Sequence, residues 1–86
     1  MKVEILLFGA LRDLQPEPRL EVEMPEAASV AGLREVLKHH AQGHWPALSP
    51  GLLDRCAFAS DTTVLRDGDV LPQGAVVAVL PPVSGG

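Results

Sequence analysis

The chain has 86 residues, enough for one domain; at this length only about 60% of the unfolded surface is buried, which leaves little room for a deep, enclosed active site. Hydrophobic residues make up 47% and charged residues 21%, the balance of a globular chain and not of a disordered one. The formal charge of −4 argues against a nucleic-acid surface or an anchor for anionic membranes.

The N-terminal segment, residues 2–8, alternates Val3, Ile5 and Leu7 with Lys2, Glu4, Leu6 and Phe8, and reads as a strand. Glu4 interrupts its apolar stretch, and Arg12, Asp13, Glu17 and Arg19 follow where a signal-peptide cleavage region belongs. No segment approaches the length of a membrane span. Residues 10–14 form a short helical turn, and Pro16 and Pro18 impose an extended path. Residues 19–24 set Leu20, Val22 and Met24 against Arg19, Glu21 and Glu23, the pattern of a strand with one wet face.

Ser29 is the expected N-cap of a helix carrying Val30, Leu33, Val36, Leu37 and Ala41 on its apolar face and Arg34, Glu35 and Lys38 on the opposite one. Gly43 is its stop signal, with His39 and His40 in the last turn. Gly32 costs about 1 kcal/mol relative to Ala within the helix; close packing on a sheet is the expected reason. Trp45, Leu48, Leu52 and Leu53 plug the core edge in an irregular stretch broken by Pro46, Pro50 and Gly51. A short strand follows at residues 56–60, then turns at residues 61–63 and at Asp67-Gly68, a pair suited to a tight hairpin. Residues 71–74 turn again into residues 75–80, an uninterrupted apolar run that fits a strand covered on both faces. Placing the two most apolar strands, the first and the last, side by side at the centre gives an α+β fold: a mixed sheet with one main helix packed on one face. This is the β-grasp, or ubiquitin-like, roll, with a domain expected over residues 1–80 and an extended tail over residues 81–86.

The tail reads Pro81-Pro82-Val83-Ser84-Gly85-Gly86. The prolines end ladder donation and favour an extended path, and Val83 is stiff at its branched carbon. Six extended residues reach roughly 20 Å, far enough to enter a pocket on another protein. Gly85 and Gly86 lack side chains, so a narrow channel admits them. A terminal carboxylate, with its pKa of about 3.3–3.7, is anionic and a poor electrophile. Acyl chemistry there requires activation, for example as an acyl-adenylate, and then a sulfur nucleophile.

This terminus, directly after Val76-Val77-Ala78-Val79-Leu80, resembles that of the molybdopterin synthase small subunit. Residues 7–14, Leu-Phe-Gly-Ala-Leu-Arg-Asp-Leu, are similar to that family's first strand and turn, and residues 71–78 to its turn into the last strand. The resemblance covers essentially the whole chain and is most specific at the tail. The family commonly has an acidic residue where this chain has Ala75, and residues 61–70 hold no family motif.

The resemblance implies a sulfur carrier in molybdenum cofactor biosynthesis that is not catalytic alone. An E1-like adenylating enzyme, using ATP and Mg²⁺, would activate Gly86, and a sulfurtransferase would convert it to a thiocarboxylate. Residues Pro81, Pro82, Val83, Ser84 and Gly85 would insert into the synthase large subunit, where sulfur passes to cyclic pyranopterin monophosphate in a heterotetramer. Phe8, Arg12 and Leu80 are the candidates for partner docking. Alternatives are a related carrier for thiamin or cysteine synthesis and a β-grasp binding module with an inert tail.

No cofactor, metal, nucleic acid or membrane is expected on the chain itself. His39, His40 and His44 read as a solvated helix end: adjacent His39 and His40 point about 100° apart on a helix, and no Cys/His/carboxylate spacing suits zinc. Asp67-Gly68-Asp69 lacks the other ligands of a calcium loop. Cys56, the only cysteine, excludes an internal disulfide and fits a reducing cytoplasm. It reads as a small core residue.

Overall fold

A computed structural model describes residues 1–49, 51–61, 63–72 and 74–82. In chain order the elements are β1 (Lys2–Leu7), a 3-10 turn (Gly9–Leu14), β2 (Arg19–Glu23), α1 (Val30–His44), α2 (Leu52–Arg55), β3 (Ala57–Ser60), β4 (Thr63–Leu65) and β5 (Val76–Leu80). The five strands form one sheet in the order β2-β1-β5-β3-β4. The first and last strands are neighbours and parallel, with Ile5 opposite Val77 and Leu7 opposite Val79. The other pairings are antiparallel. The apolar run thus occupies the middle of a mixed sheet, as its composition requires.

The core lies between one face of this sheet and α1. Val3, Ile5, Leu7, Phe58, Val77 and Val79 meet Val30, Leu33, Leu37 and Ala41, all buried. Trp45, Leu53 and Leu71 close its edges. This is the β-grasp arrangement.

The start of α1 is satisfied in two ways. Ser29 Oγ accepts from Gly32 N at 3.1 Å, the expected cap. The next two amides look outward: Val30 N donates to Asp69 O and Ala31 N to Asp67 O, both at 2.9 Å. Asp67-Gly68 therefore does not join two paired strands as a tight hairpin. Its turn is closed by Asp69 N on Arg66 O and by Arg66 N on the Asp69 carboxylate, and it docks on the helix end.

Several local expectations are corrected. α1 runs through Gly43 to His44, because Trp45 N donates to Ala41 O at 2.8 Å and its side chain is buried; tertiary anchoring outweighs the glycine. Gly32 is not held against the sheet: a β-carbon there would meet only Ser29 Oγ at 3.6 Å and Met24 Cε at 3.8 Å. The irregular stretch contains the one-turn helix α2, and Cys56 caps it, so the strand starts at Ala57.

Arg34, expected in solvent, is only 12% exposed. Its guanidinium spans three segments: Nη1 donates to Leu53 O at 2.6 Å and Cys56 O at 2.9 Å, Nη2 pairs with Asp67 at 2.7 Å, and its centre sits 4.5 Å above the Phe58 ring.

Candidate functional site

Strand alternation sorts the sheet into two faces. Odd-numbered residues of β1 and β5 meet α1, so Leu6, Ala78 and Leu80 face the other way. The register aligns Arg19, Leu6, Ala78, Ala59 and Val64 in one row across all five strands. Phe8 has extended backbone angles and its N–H donates to Val79 O at 3.2 Å, so it continues the β1 alternation onto this face. It is 41% exposed, and Val76 and Val64 are exposed elsewhere on the same face. Leu80, partly buried, lies opposite Ala57 at the same end of β5. The outcome is an apolar surface with an acidic flank, where Glu4 and Glu21 stand opposite each other on β1 and β2. Such a surface suits a protein partner with apolar groups and a basic rim.

The 3-10 turn carries Arg12, which is exposed, while Leu11 anchors the turn in the core. Phe8 and Arg12 thus leave one short turn that begins at the end of β1. Between them the chain bends at Gly9, whose φ of +59° is left-handed. A β-carbon on Gly9 would sit 2.8 Å from Pro81 Cγ and 3.4 Å from Cδ. Both requirements, the sign of φ and the close approach, call for glycine. Pro81 is partly buried in this contact and Pro82 is exposed, so the tail leaves from the centre of the sheet beside Phe8. The remaining tail residues named above, Val83, Ser84, Gly85 and Gly86, lie outside the described residues.

Other chemistry is sparse. Cys56 is buried and its thiol donates to Leu52 O at 3.3 Å. Burial pushes its pKa up, against the opposing pull of the Arg34 and Arg55 charges, so at neutral pH it is a thiol and not a nucleophilic thiolate. Among the described residues no three His, Cys, Asp or Glu side chains converge as a metal set. No helix among them is long and apolar enough to cross a membrane. A concavity of about 590 Å³ is an open groove at Ala41, Trp45, Leu48 and Leu53 with Lys38 and Asp54 on its rim. Lys38 bridges Asp54 and Glu35 there at 3.0 and 3.2 Å, and the hydrogen bonds to these two carboxylates raise its pKa, so it stays a protonated ammonium at neutral pH.

Gly9 was not singled out by sequence reasoning. A glycine between a strand and a helical turn signals positive φ, but its contact with a proline 72 positions later comes from the β1–β5 pairing.

The model of the ThiS family matches residues 5–86. No curated protein matches the chain in sequence. Among solved structures, the Pyrococcus furiosus protein described as molybdopterin converting factor, subunit 1, is 28% identical. That match covers 95% of this chain and 98% of the other, with a TM-score of 0.72. A complex of subunits 1 and 2 of molybdopterin-converting factor from Helicobacter pylori matches at 25% identity, over 100% of both chains, with a TM-score of 0.61. SAMP1 from Haloferax volcanii shares the fold at a TM-score of 0.74 and 24% identity, over 100% of both chains.

Proposed function

This chain belongs to the ThiS family of ubiquitin-like sulfur carriers, and from that premise we propose that it is the small subunit of a molybdopterin synthase. Residues 1–80 are the docking domain and residues 81–86 the delivery arm. Gly86 is adenylated by an E1-like enzyme with ATP and Mg²⁺. A sulfurtransferase then supplies the sulfur that displaces AMP and leaves a thiocarboxylate. The arm enters the large subunit, and the sulfur passes to cyclic pyranopterin monophosphate. The observation that carries this reading over its neighbours is the full-length likeness to molybdopterin converting factor subunits, one of them in complex with subunit 2.

The geometry at the start of the tail supports the docking step. Phe8, Arg12 and Leu80 offer a docking surface beside the point where the tail leaves. Pro81 and Pro82 extend the chain away from it, and Gly85 keeps it narrow. Reaction at Gly86 needs no group on the folded domain, in keeping with a cysteine that stays protonated. The chain supplies reach, orientation and an acyl carbon, and the partners supply catalysis.

Intact mass of protein co-produced with its activating enzyme tests the proposal: replacing oxygen by sulfur at the terminus adds about 16 Da. Removal of Gly86 should abolish that gain and leave the fold intact. A thiocarboxylate that forms while the chain captures a thiazole synthase, and not the molybdopterin synthase large subunit, would assign it to the thiamin route. Only unmodified chain beside a functional activating enzyme would favour a binding module with an inert tail.

A further inference from the structure

Met1 N donates to Met24 O at 2.6 Å and Met24 N to Met1 O at 2.8 Å, so these two residues face each other as a hydrogen-bonded pair at one end of the β1–β2 ladder. At the other end Leu7 N donates to Pro18 O at 2.7 Å. Along an antiparallel ladder such pairs alternate with non-hydrogen-bonded ones, in which the opposed side chains are closer. Counted inward in register, Glu4 and Glu21 fall on a non-hydrogen-bonded pair. Two carboxylates thus stand at the tighter of the ladder's two spacings, where like charges oppose folding. The neighbouring charges are engaged elsewhere: Glu23 meets the N-terminal amine at 3.4 Å and Arg19 turns to Glu17 at 3.9 Å. Among the described residues neither Lys2 nor Arg19 forms an ion pair with Glu4 or Glu21. Both carboxylates lie on the sheet face turned away from α1, with exposed Val76 next to Glu4 on the adjoining strand. Phe8, beside the tail, is four residues further along β1, roughly 13 Å away.

We propose that Glu4 and Glu21 jointly receive one arginine of the synthase large subunit, and that this bridge fixes the partner's position along the sheet; the identity of the partner rests on the function proposed above. A guanidinium carries five N–H donors in a planar fork, so it can bond two adjacent carboxylates at once and replace their repulsion with charge-assisted hydrogen bonds. A lysine ammonium is a compact, strongly hydrated charge without that fork. The pair is therefore unfavourable in the free chain and favourable in the complex. Apolar contact at Val76 and Leu6 borders the bridge and shields it from water. With the tail held near Phe8 and the arginine held at Glu4, two points roughly 13 Å apart set the direction in which the partner lies on the sheet.

Calorimetric titration of the full chain with the large subunit, set beside urea unfolding of the chain alone, tests the bridge. Glu4→Gln and Glu21→Gln should each weaken binding about tenfold, and Glu21→Lys should weaken it further. The same substitutions should leave the urea midpoint unchanged or higher, and Glu21→Lys should raise it, because an opposite-charge pair replaces a like-charge one. A residue with a merely structural role would move stability and affinity down together. Glu23→Gln, on the same strand and face, should change affinity by less than about twofold. The loss in Glu21→Gln should shrink as NaCl rises from about 0.05 to 0.5 M. Native affinity in Glu21→Lys, an equal loss in Glu23→Gln, or a urea midpoint that falls with the affinity would overturn the proposal. A native chain that gains sulfur at Gly86 yet does not bind the large subunit would overturn the molybdopterin assignment, and the bridge with it.

Discussion

Gly9 sets its bare α-carbon against the ring of Pro81, so that a β-carbon would come within 2.8 Å of Cγ. The residue that opens the turn after the first strand thereby seats the first residue of the tail. Gly9→Ala should lose about 1–2 kcal/mol from its left-handed φ alone, read as a lower urea midpoint. Gly9→Ala should also slow adenylation of the tail through that contact, and Gly9→Val should lose more of both. Adding Pro81→Ala to Gly9→Ala should restore the adenylation rate but not the stability, because it removes the contact and leaves the φ strain. No recovery of rate in the double variant would show that the contact does not steer the tail.

Arg34 clamps α1 to the α2–β3 junction. Arg34→Ala removes the guanidinium bonds to the Leu53 and Cys56 carbonyls, of which Leu53 O keeps only the Cys56 N–H at 3.3 Å, and uncovers Phe58. Charge-assisted bonds of this kind contribute about 1.5–3 kcal/mol, so a loss of about 3 kcal/mol is expected in denaturant unfolding. Asp67→Asn should lose under about 1 kcal/mol, since that carboxylate is largely exposed. An equal loss in both variants would place the effect in the ion pair and not in the carbonyl bonds.

Burial, and then the neighbouring His44, lower the His40 pKa from 6.5. The folded state therefore binds a proton less readily than the unfolded chain. Its contribution to stability is fully present above pH 6.5 and falls as the pH drops below it. Between pH 7.5 and 5, on the order of the range in which histidine titrates, the urea midpoint of the native chain should fall more steeply than that of His40→Gln. Parallel curves would refute this.

Ala27 has a φ of +62° in the turn that Ala28 N closes on Pro25 O at 3.2 Å. The third position of such a turn favours glycine. Ala27→Gly should release about 1–2 kcal/mol of strain and lose about 0.4–1 kcal/mol through a freer unfolded chain. A small net gain in thermal stability is expected. A decrease in melting temperature would mean that the turn tolerates the alanine without strain.

The elements that hydrophobic periodicity governs were legible in the sequence. Val3, Ile5 and Leu7, the run ending at Leu80, and Val30 with Leu33, Leu37 and Ala41 all took their expected places, and the neighbouring of β1 and β5 followed from their composition. Residues whose roles depend on distant partners were not. Arg34 falls on the polar side of a helical wheel, yet a guanidinium can be buried when carbonyls and an aromatic face receive it. The Asp67-Gly68 turn was visible, but its two carbonyls serve amides of α1 more than thirty positions earlier. Gly43 looked like a helix stop because the packing of Trp45 has no local signature. Of the candidate site, Phe8 and Leu80 could be named from the sequence, whereas the continuous apolar row through Ala59 and Val64 required the register.

The placement of β5 between two strands also has a mechanical consequence. A pull on the tail acts along β5, and its bonds to β1 on one side and β3 on the other lie across the direction of force. They share the load at once, whereas an edge strand would unzip rung by rung. Tension applied at the end of β5 is therefore borne by both ladders together before the sheet opens.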